Sequence, residues 1–217
     1  MPVRKVSNRG GNIIGKFPSI KMRRMIAFES LLERDFIYLL DYDEDVEWFE
    51  EQPLTIEYQH EGKRRHYTPD FHLLERGKHV LIECKPECFT DKDENRHKFS
   101  AANEWCRENS WIFRVVTDRE IRTGFRLHNV KLMVRYARQP VDPVVRRRIY
   151  TLLRDAQCSI MMNDIARALA FDVPSSAIGS ILHLAFHHEI YVPMDDAPLS
   201  GETLVRLNDS MRKEATI

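Results

Sequence analysis

The chain has 217 residues, 43% hydrophobic and 30% charged, a composition typical of a globular protein with one sizeable core and room for a small second domain. Its 33 basic and 33 acidic residues give a formal net charge of zero, so binding to nucleic acid would depend on local charge. No apolar stretch is long enough to span a bilayer, and the basic start lacks the apolar core of a signal peptide. These features exclude a membrane protein and predict a cytoplasmic one with reduced cysteines.

The N-terminal segment is basic and irregular. No Asp or Glu precedes Glu29, and the glycines and Pro18 predict an arm without regular structure over residues 1–20. A flexible basic arm can neutralise DNA phosphates, although a merely solvated terminus is the alternative. The candidates for phosphate contacts in and just after this arm are Arg4, Lys5, Arg9, Lys16, Arg23 and Arg24.

A helix is predicted from Met25 to Leu40, because apolar residues recur there at helical spacing. Glu29 lies at the edge of the buried stripe, where a carboxylate costs free energy unless it is paired or holds a metal. Glu33 and Asp35 are the competing candidates, and a surface ion pair is the alternative role for Glu29.

Strands are predicted next. An acidic turn ends the helix, and Trp48 to Tyr58 begins a sheet with an irregular step at Gln52 and Pro53. A basic turn around Gly62 then leads into a strand from Tyr67 to Leu74.

The most informative stretch, Thr68 to Pro86, reads TPDFHLLERGKHVLIECKP. Two partly alternating apolar runs flank a charged turn in which Gly77 can adopt positive φ, a pattern that predicts a hairpin. The strand period of two places Glu83 and Lys85 on one face, and pairing could bring Asp70 beside Glu83.

Two converging carboxylates and a lysine suit a magnesium site that activates water against a phosphodiester. Separately, a Glu-x-Lys strand and a Pro-Asp turn are common on ordinary sheets, but in this order they resemble the PD-(D/E)xK nuclease core. A zinc site from Cys84, Cys88 and His97 is disfavoured, because the chain has no CxxC pair and Cys84 faces away from Glu83.

The next elements complete an α/β order. Asp91 to Asn109 is predicted to be helical and offers Arg96 and Lys98 as further phosphate contacts, or as a solvated basic face. Trp111 to Val116 is an apolar strand, and Arg119 to Arg138 is predicted to be a closing helix. We therefore expect a mixed sheet flanked by helices.

Beyond a linker with two prolines, the pattern predicts three helices and a β pair, which suggests a small winged-helix-like domain. The helices are expected over Val144 to Ala156, Met161 to Ala170 and Ser175 to His188, and the strands over Ile190 to Val192 and Thr203 to Leu207.

The third of these helices is expected to expose polar residues without any Lys or Arg, so protein docking is at least as well supported as DNA binding. Arg146 and Arg147 on the first helix are better candidates for phosphate contacts. The side chains expected to be exposed on the third helix are Ser175, Ser176, Ser180, His183 and His187.

The chain resembles the TnsA endonuclease subunit of heteromeric bacterial transposases over five stretches in order: RRMIAFESLLERDFIYLLDYDEDVEWFEEQPLTIEY, YTPDF, LIECKPE, the Arg96 to Cys106 helix and WIFRVVTDREIR. The resemblance covers most of Arg9 to Arg138. It implies a restriction-endonuclease-like fold that cuts the 5′ strands at transposon ends during cut-and-paste transposition. It also implies double-stranded DNA, a TnsB-like transposase and a TnsC-like AAA+ ATPase as partners, with nucleoid association when assembled.

The same resemblance assigns roles to residues. The helical acid of the family would be Glu29, its Asp would be Asp70 and its lysine Lys85, while Glu83 replaces the Gln of some members. Mg²⁺, with Mn²⁺ tolerated, would be held by Glu29, Asp70, Glu83 and the backbone carbonyl of Cys84, and Lys85 would orient the attacking water. Without metal, at least one of the acids is expected to have a raised pKa.

The predicted organisation is then an arm (1–20), a nuclease domain (21–138), a linker (139–143), a winged-helix-like docking or DNA-binding domain (144–207) and a tail (208–217). A free-standing nuclease of restriction or repair, and a non-catalytic adaptor between DNA and a partner, are the alternatives. The four acidic and basic residues of the site speak against the adaptor.

Overall fold

The computed structural model describes residues 13–156, 159–169 and 177–208. The chain divides into two compact units, Met1–Arg122 and Thr123–Ile217. Within the described ranges, no helix is long and apolar enough to cross a membrane.

The first unit is built around a four-stranded mixed sheet with the order β3-β6-β7-β8. The pairs β3–β6 and β6–β7 are antiparallel and β7–β8 is parallel, which confirms the predicted α/β class. Its elements are β1 (Gly15–Pro18), β2 (Met25–Phe28), α1 (Leu31–Tyr42), β3 (Val46–Glu51), β4 (Ile56–His60), β5 (Lys63–Tyr67), β6 (Phe71–Glu75), β7 (Lys78–Lys85), a 3₁₀ turn (Glu87–Phe89), α2 (Asp93–Glu108), β8 (Ile112–Thr117) and α3 (Asp118–Ile121).

Strand β7 is buried on both faces. Val80, Leu81 and Ile82 are fully buried although consecutive residues point to opposite sides of the sheet. Helix α1 packs against β7, while Leu81 clusters with Ala102 and Cys106 of α2. Because both faces are covered, Glu83 is also buried, with 4% of its surface exposed.

The predicted hairpin is confirmed. Strands β6 and β7 pair from Phe71 opposite Ile82 to Glu75 opposite Lys78. Arg76 and Gly77 form the two-residue turn with φ of 50° and 71°, the left-handed pair that matches the twist of the flanking strands.

The predicted start of the first helix is wrong. Met25–Phe28 is a strand that pairs with Gly15–Pro18, so part of the predicted irregular arm is a strand as well. Helix α1 begins only after Ser30, whose side chain accepts a hydrogen bond from the Glu33 backbone N–H at 3.1 Å. The sequence Ser-Leu-Leu-Glu carries this capping signal, but the helical spacing of the apolar residues concealed it.

The predicted helix over Arg119 to Arg138 is two helices. Helix α3 ends at Ile121, Gly124 has φ of 59°, and α4 (Arg126–Val134) follows in the second unit. There α4 packs against α7 (Ala177–Phe186). The compact units thus divide after Arg122, and the domain limits proposed from the sequence remain predictions.

The second unit continues with α5 (Pro143–Asp155), β9 (Ile160–Met161), α6 (Met162–Leu169), α7, β10 (Ile190–Tyr191) and β11 (Leu204–Leu207). Strands β10, β11 and β9 form an antiparallel sheet in that order, which confirms the predicted β pair. The winged-helix assignment stays a prediction.

Helix α7 does not present the polar face that the sequence predicted. Ser180 and His183 are buried at 8% exposure, and only His187 of the described candidates is exposed, because apolar residues cover this helix on most sides. Ser175 and Ser176 lie outside the described residues.

The turn of the β6–β7 hairpin gives a stability prediction. Gly77→Ala is expected to lower the free energy of unfolding by about 1 kcal/mol, because a Cβ disfavours the left-handed conformation although no atom lies within 4 Å of it. The neighbouring exposed Lys78→Ala is the control and is expected to change stability by less than about 0.5 kcal/mol. Urea unfolding measures both, and equal losses would contradict the assignment of strain to the turn.

Candidate active site

The hairpin brings Asp70 and Glu83 together. Phe71 pairs with Ile82, so Asp70, which immediately precedes β6, lies opposite Glu83. The backbone of Asp70 donates to the Ile82 carbonyl at 3.0 Å, and the Cys84 N–H donates to Asp70 Oδ2 at 2.7 Å. The Asp70 carboxylate is therefore held at the end of the central strand pair.

Both carboxylate oxygens of Glu83 have partners. Lys85 Nζ lies 2.7 Å from Glu83 Oε1, and the Tyr67 hydroxyl donates to Glu83 Oε2 at 2.8 Å. The side-chain period of two on β7 explains why Glu83 and Lys85 meet, as the sequence predicted. Tyr67 comes from β5 and fixes the carboxylate from the other side.

The electrostatics follow from burying several acids together. Burial, followed by the charges of Glu83 and Glu33, raises the pKa of Asp70 well above its usual range. This agrees with the expectation that at least one acid of the site has a raised pKa. Burial opposes the charge of Lys85, but the attraction of Glu83 outweighs it and raises the pKa of Lys85, so this side chain remains an ammonium.

Glu29 and Glu33, at the start of α1, adjoin this site in an arrangement that the sequence did not predict. Glu29 precedes the N-cap of α1 and is not helical, whereas Glu33 lies in the first turn. Glu33 Oε2 accepts a hydrogen bond from the Glu29 backbone N–H at 2.7 Å. Burial first, and then the charges of Glu29 and Glu83, raise the pKa of Glu33. The structure thus brings Glu33 into the electrostatic field of Asp70 and Glu83.

Asp35, the third acid considered, has a structural environment instead. It is buried, and its carboxylate is contacted by Arg34 Nη2 at 3.3 Å and by Arg122 Nη2 at 3.2 Å. These ion pairs join α1 to the residue that follows α3, which accounts for the burial of this acid.

The donor set suits a hard divalent cation. Asp70, Glu83 and Glu33 supply carboxylate oxygens, and a cation would offset both the burial and the mutual repulsion that raise the pKa of Asp70 and Glu33. Each carboxylate oxygen has two lone pairs, so Glu83 could bind a cation while it keeps Tyr67 or Lys85. Among the described residues, no three His, Cys, Asp or Glu side chains are already grouped as a metal site. Some adjustment of side chains would therefore accompany binding.

The predicted DNA-contact residues lie on separate elements. Arg24 makes a two-pronged ion pair with Glu51, at 3.0 and 2.6 Å, and Arg146 Nη2 lies 3.3 Å from Glu189, so these two arginines have structural partners. Lys98 Nζ is 2.5 Å from Glu94. The remaining described candidates, Lys16, Arg23, Arg96 and Arg147, are exposed, while Arg4, Lys5 and Arg9 lie outside the described residues.

Tyr67 is the site residue that sequence reasoning missed. The sequence pattern predicts only that Tyr67 lies in a strand. Tyr67 directly follows the basic run Lys-Arg-Arg-His and precedes the Thr-Pro-Asp turn. An aromatic hydroxyl at the buried end of an exposed strand needs a hydrogen-bond partner, and this requirement could have indicated that Tyr67 bonds to a site residue.

An Asp that leads into a hairpin, with Glu-x-Lys on the returning strand of a mixed sheet flanked by helices, defines the restriction-endonuclease-like class of nucleases. Residues 43–118 match the family model described as TnsA-like endonuclease N terminal. Residues 43–118 are therefore similar to the TnsA-like endonuclease domain, as the sequence resemblance indicated. Asp70, Glu83 and Lys85 lie inside the matched segment, and Glu29 and Glu33 lie before it. Comparison with curated proteins gives no significant match.

The raised pKa of Asp70 predicts how the metal-free protein responds to pH. The folded state retains this proton to a higher pH than the unfolded chain does, so the contribution of Asp70 to stability is fully present below the unfolded pKa of about 3.9 and is lost as pH rises through the folded pKa. Asp70→Asn cannot lose a proton and is expected to be more stable than the wild type near neutral pH, with the difference vanishing in acid.

Urea unfolding across pH in the presence of a chelator measures this difference. The exposed hairpin residue Glu61 gives the control, Glu61→Gln, which is expected to follow the wild type. An Asp70→Asn variant that is less stable than the wild type at neutral pH would show that the Asp70 carboxylate is not repelled in the folded protein.

Proposed function

We propose that this protein is the metal-dependent DNA endonuclease subunit of a transposase complex and that it cuts the 5′ strands at transposon ends. The observation that carries the proposal is the Asp70, Glu83 and Lys85 arrangement inside a segment that matches the TnsA-like endonuclease family model. That match supports a nuclease subunit of a transposase. The metal, the strand that is cut and the named partners are our inference.

The chemistry of the residues supports hydrolysis of a phosphodiester. Asp70, Glu83, either Glu29 or Glu33, and the backbone carbonyl of Cys84 would hold Mg²⁺, or Mn²⁺ in its place. The bound cation would supply positive charge for the phosphate and for the attacking water. Lys85 remains protonated beside Glu83, so its ammonium can donate a hydrogen bond to a water or to a phosphate oxygen.

Tyr67 has a positioning role in this proposal. Burial and the neighbouring Glu83 and Asp70 charges raise the pKa of Tyr67, so its hydroxyl stays a donor at any physiological pH. The bond to Glu83 Oε2 then keeps the carboxylate oriented while Lys85 contacts the other oxygen. The protein thereby limits the movement of a buried acid without neutralising it.

The proposed partners are a TnsB-like transposase, which would cut and join the 3′ ends, and a TnsC-like AAA+ ATPase regulator. Several basic candidates already have carboxylate partners, as Arg24 and Arg146 do. With a net charge of zero, the isolated chain is expected to bind DNA weakly and with strong salt dependence. Assembly with partners would then provide specificity.

Loss of the ammonium tests the catalytic assignment. Lys85→Ala is expected to reduce 5′-strand nicking of transposon-end DNA at least about 100-fold, because it removes a donor at the reacting phosphate. Lys78→Ala, on the exposed end of the same strand, is the control and is expected to retain activity. Nicking is measured with magnesium, with and without purified partner transposase and ATPase, and circular dichroism checks the fold.

The outcomes of this experiment separate the alternatives. Full nicking by Lys85→Ala would remove Lys85 from the reaction. Efficient, specific cutting by the wild type alone would indicate a free-standing nuclease, whereas DNA and partner binding without any cutting would indicate an adaptor.

A second experiment decides whether Glu33 or Glu29 binds the metal. Glu33→Gln is expected to weaken magnesium binding about tenfold or more, because the charge of Glu33, like that of Glu83, acts on Asp70. Its amide oxygen can still accept the hydrogen bond from the Glu29 backbone, so the start of α1 is kept. Glu29→Gln is the matched comparison in calorimetric titration. A larger loss for Glu29→Gln would return the role to Glu29, as the family resemblance implies.

A further inference from the structure

The β4–β5 hairpin stands apart from the main sheet but is anchored at the active site. It forms its own two-stranded sheet, with Ile56 opposite Tyr67 at its base. Both residues are buried in a cluster with Leu81 of β7 and with α2. The Tyr67 hydroxyl bonds to Glu83, so the hairpin begins directly beside the catalytic carboxylates.

The outer half of this hairpin is basic and exposed. Lys63, Arg64, Arg65 and His66 are all exposed, and they follow one another along β5. Tyr58 pairs with Arg65, and Tyr58 packs against the buried cluster at the hairpin base. Arg65 therefore lies on the face of the hairpin that is turned toward α2, and Arg64 lies on the opposite face.

Between this face and α2 lies a cleft of about 510 Å³. Its lining residues are Tyr58, His60, Arg65, His66, Glu94 and Lys98. The His60 ring lies 4.0 Å, centroid to centroid, from the His97 ring of α2, a contact that closes one side of the cleft. The walls therefore offer two permanent cations and one carboxylate.

The carboxylate shows where the cleft lies relative to the catalytic lysine. The hydrogen bond and the charge of Lys98 lower the pKa of Glu94, and the charges of Lys85 and Arg65 lower it further. The hairpin wall of the cleft ends at Tyr67, whose hydroxyl bonds to Glu83, so the cleft adjoins the active site. Arg65 has no ion-pair partner among the described residues, whereas Arg64 lies 3.8 Å from Glu57.

We propose that the cleft between the β4–β5 hairpin and α2 holds a backbone phosphate of the DNA strand that is cut, and that Arg65 is its positioning residue. The proposal rests on the proposed endonuclease function. The guanidinium of Arg65 has the planar fork that matches two phosphate oxygens, and Lys98 adds a second cation on the opposite wall. A phosphate held there would fix the position of the strand relative to Lys85.

Comparison of Arg65 with Arg64 tests the proposal, because both are exposed, adjacent and equally charged. Arg65→Ala in the full-length chain is expected to weaken binding of a transposon-end duplex about tenfold and to lower the slope of log affinity against log salt by about one. Arg64→Ala is expected to stay within about twofold of the wild type, since Arg64 faces away from the cleft. Fluorescence anisotropy over a salt series measures both.

Nicking by the chain assembled with its partner transposase gives the second readout. Arg65→Ala is expected to raise KM more than it lowers kcat, and Arg65→Lys is expected to recover part of the affinity because it restores a point charge. Thermal unfolding of each variant controls for folding. Arg65→Gln keeps most of the side-chain stem and replaces Arg65→Ala if that variant unfolds.

Three results would overturn this inference. Equal losses for Arg64→Ala and Arg65→Ala would indicate general charge attraction without a built site. Unchanged DNA affinity for Arg65→Ala would remove the phosphate contact, and a selective loss of transposase binding would make the cleft a protein-docking surface. If the wild type neither binds nor cuts DNA with its partner, the proposed function itself fails.

Discussion

The register of strands β6 and β7 is the constraint on which the site depends. Pairing of Phe71 with Ile82 places Asp70 opposite Glu83 inside a sheet that is covered on both faces. Burial and repulsion between the acids disfavour the charged form of Asp70, and its pKa is therefore raised. A slip of one residue would send Glu83 to the other face of the sheet, so the turn at Arg76 and Gly77 also fixes the active site.

The surrounding residues limit the electrostatic cost while keeping the carboxylates available. Glu83 receives hydrogen bonds from a protonated lysine and from a tyrosine hydroxyl, and Asp70 receives one from the Cys84 backbone. None of these donors occupies every lone pair of a carboxylate. Oriented carboxylate oxygens with unused lone pairs are suited to bind a cation, and the neighbouring ammonium is suited to contact a phosphate. The same tyrosine couples the site to the basic β4–β5 hairpin, so this hairpin has a defined position beside Glu83.

The errors in the sequence reasoning have identifiable physical causes. Apolar spacing around Met25 to Phe28 fits a helix as well as a short strand, and the pairing of this segment with Gly15–Pro18 decided the outcome. Ser30 and Glu33 carried a capping signal that should have shortened the predicted helix. On α7, Ser180 and His183 are polar by residue type but buried, and His183 Nδ1 is satisfied there by the Tyr136 carbonyl at 3.2 Å. Such partners lie far away in the chain.

The amino-acid sequence was enough to predict the β6–β7 hairpin, the proximity of Asp70, Glu83 and Lys85 and the mixed α/β class, because turn chemistry and side-chain alternation act between near neighbours. The folded structure was needed to show that Tyr67 bonds to Glu83, that the charge of Glu33 acts on Asp70, and that Arg65 faces α2. These facts depend on how separate elements pack, since packing joins residues that no local period relates. The strand that carries Glu83 and Lys85 was therefore predictable, while the residues that orient its side chains and the direction of the neighbouring basic hairpin were not.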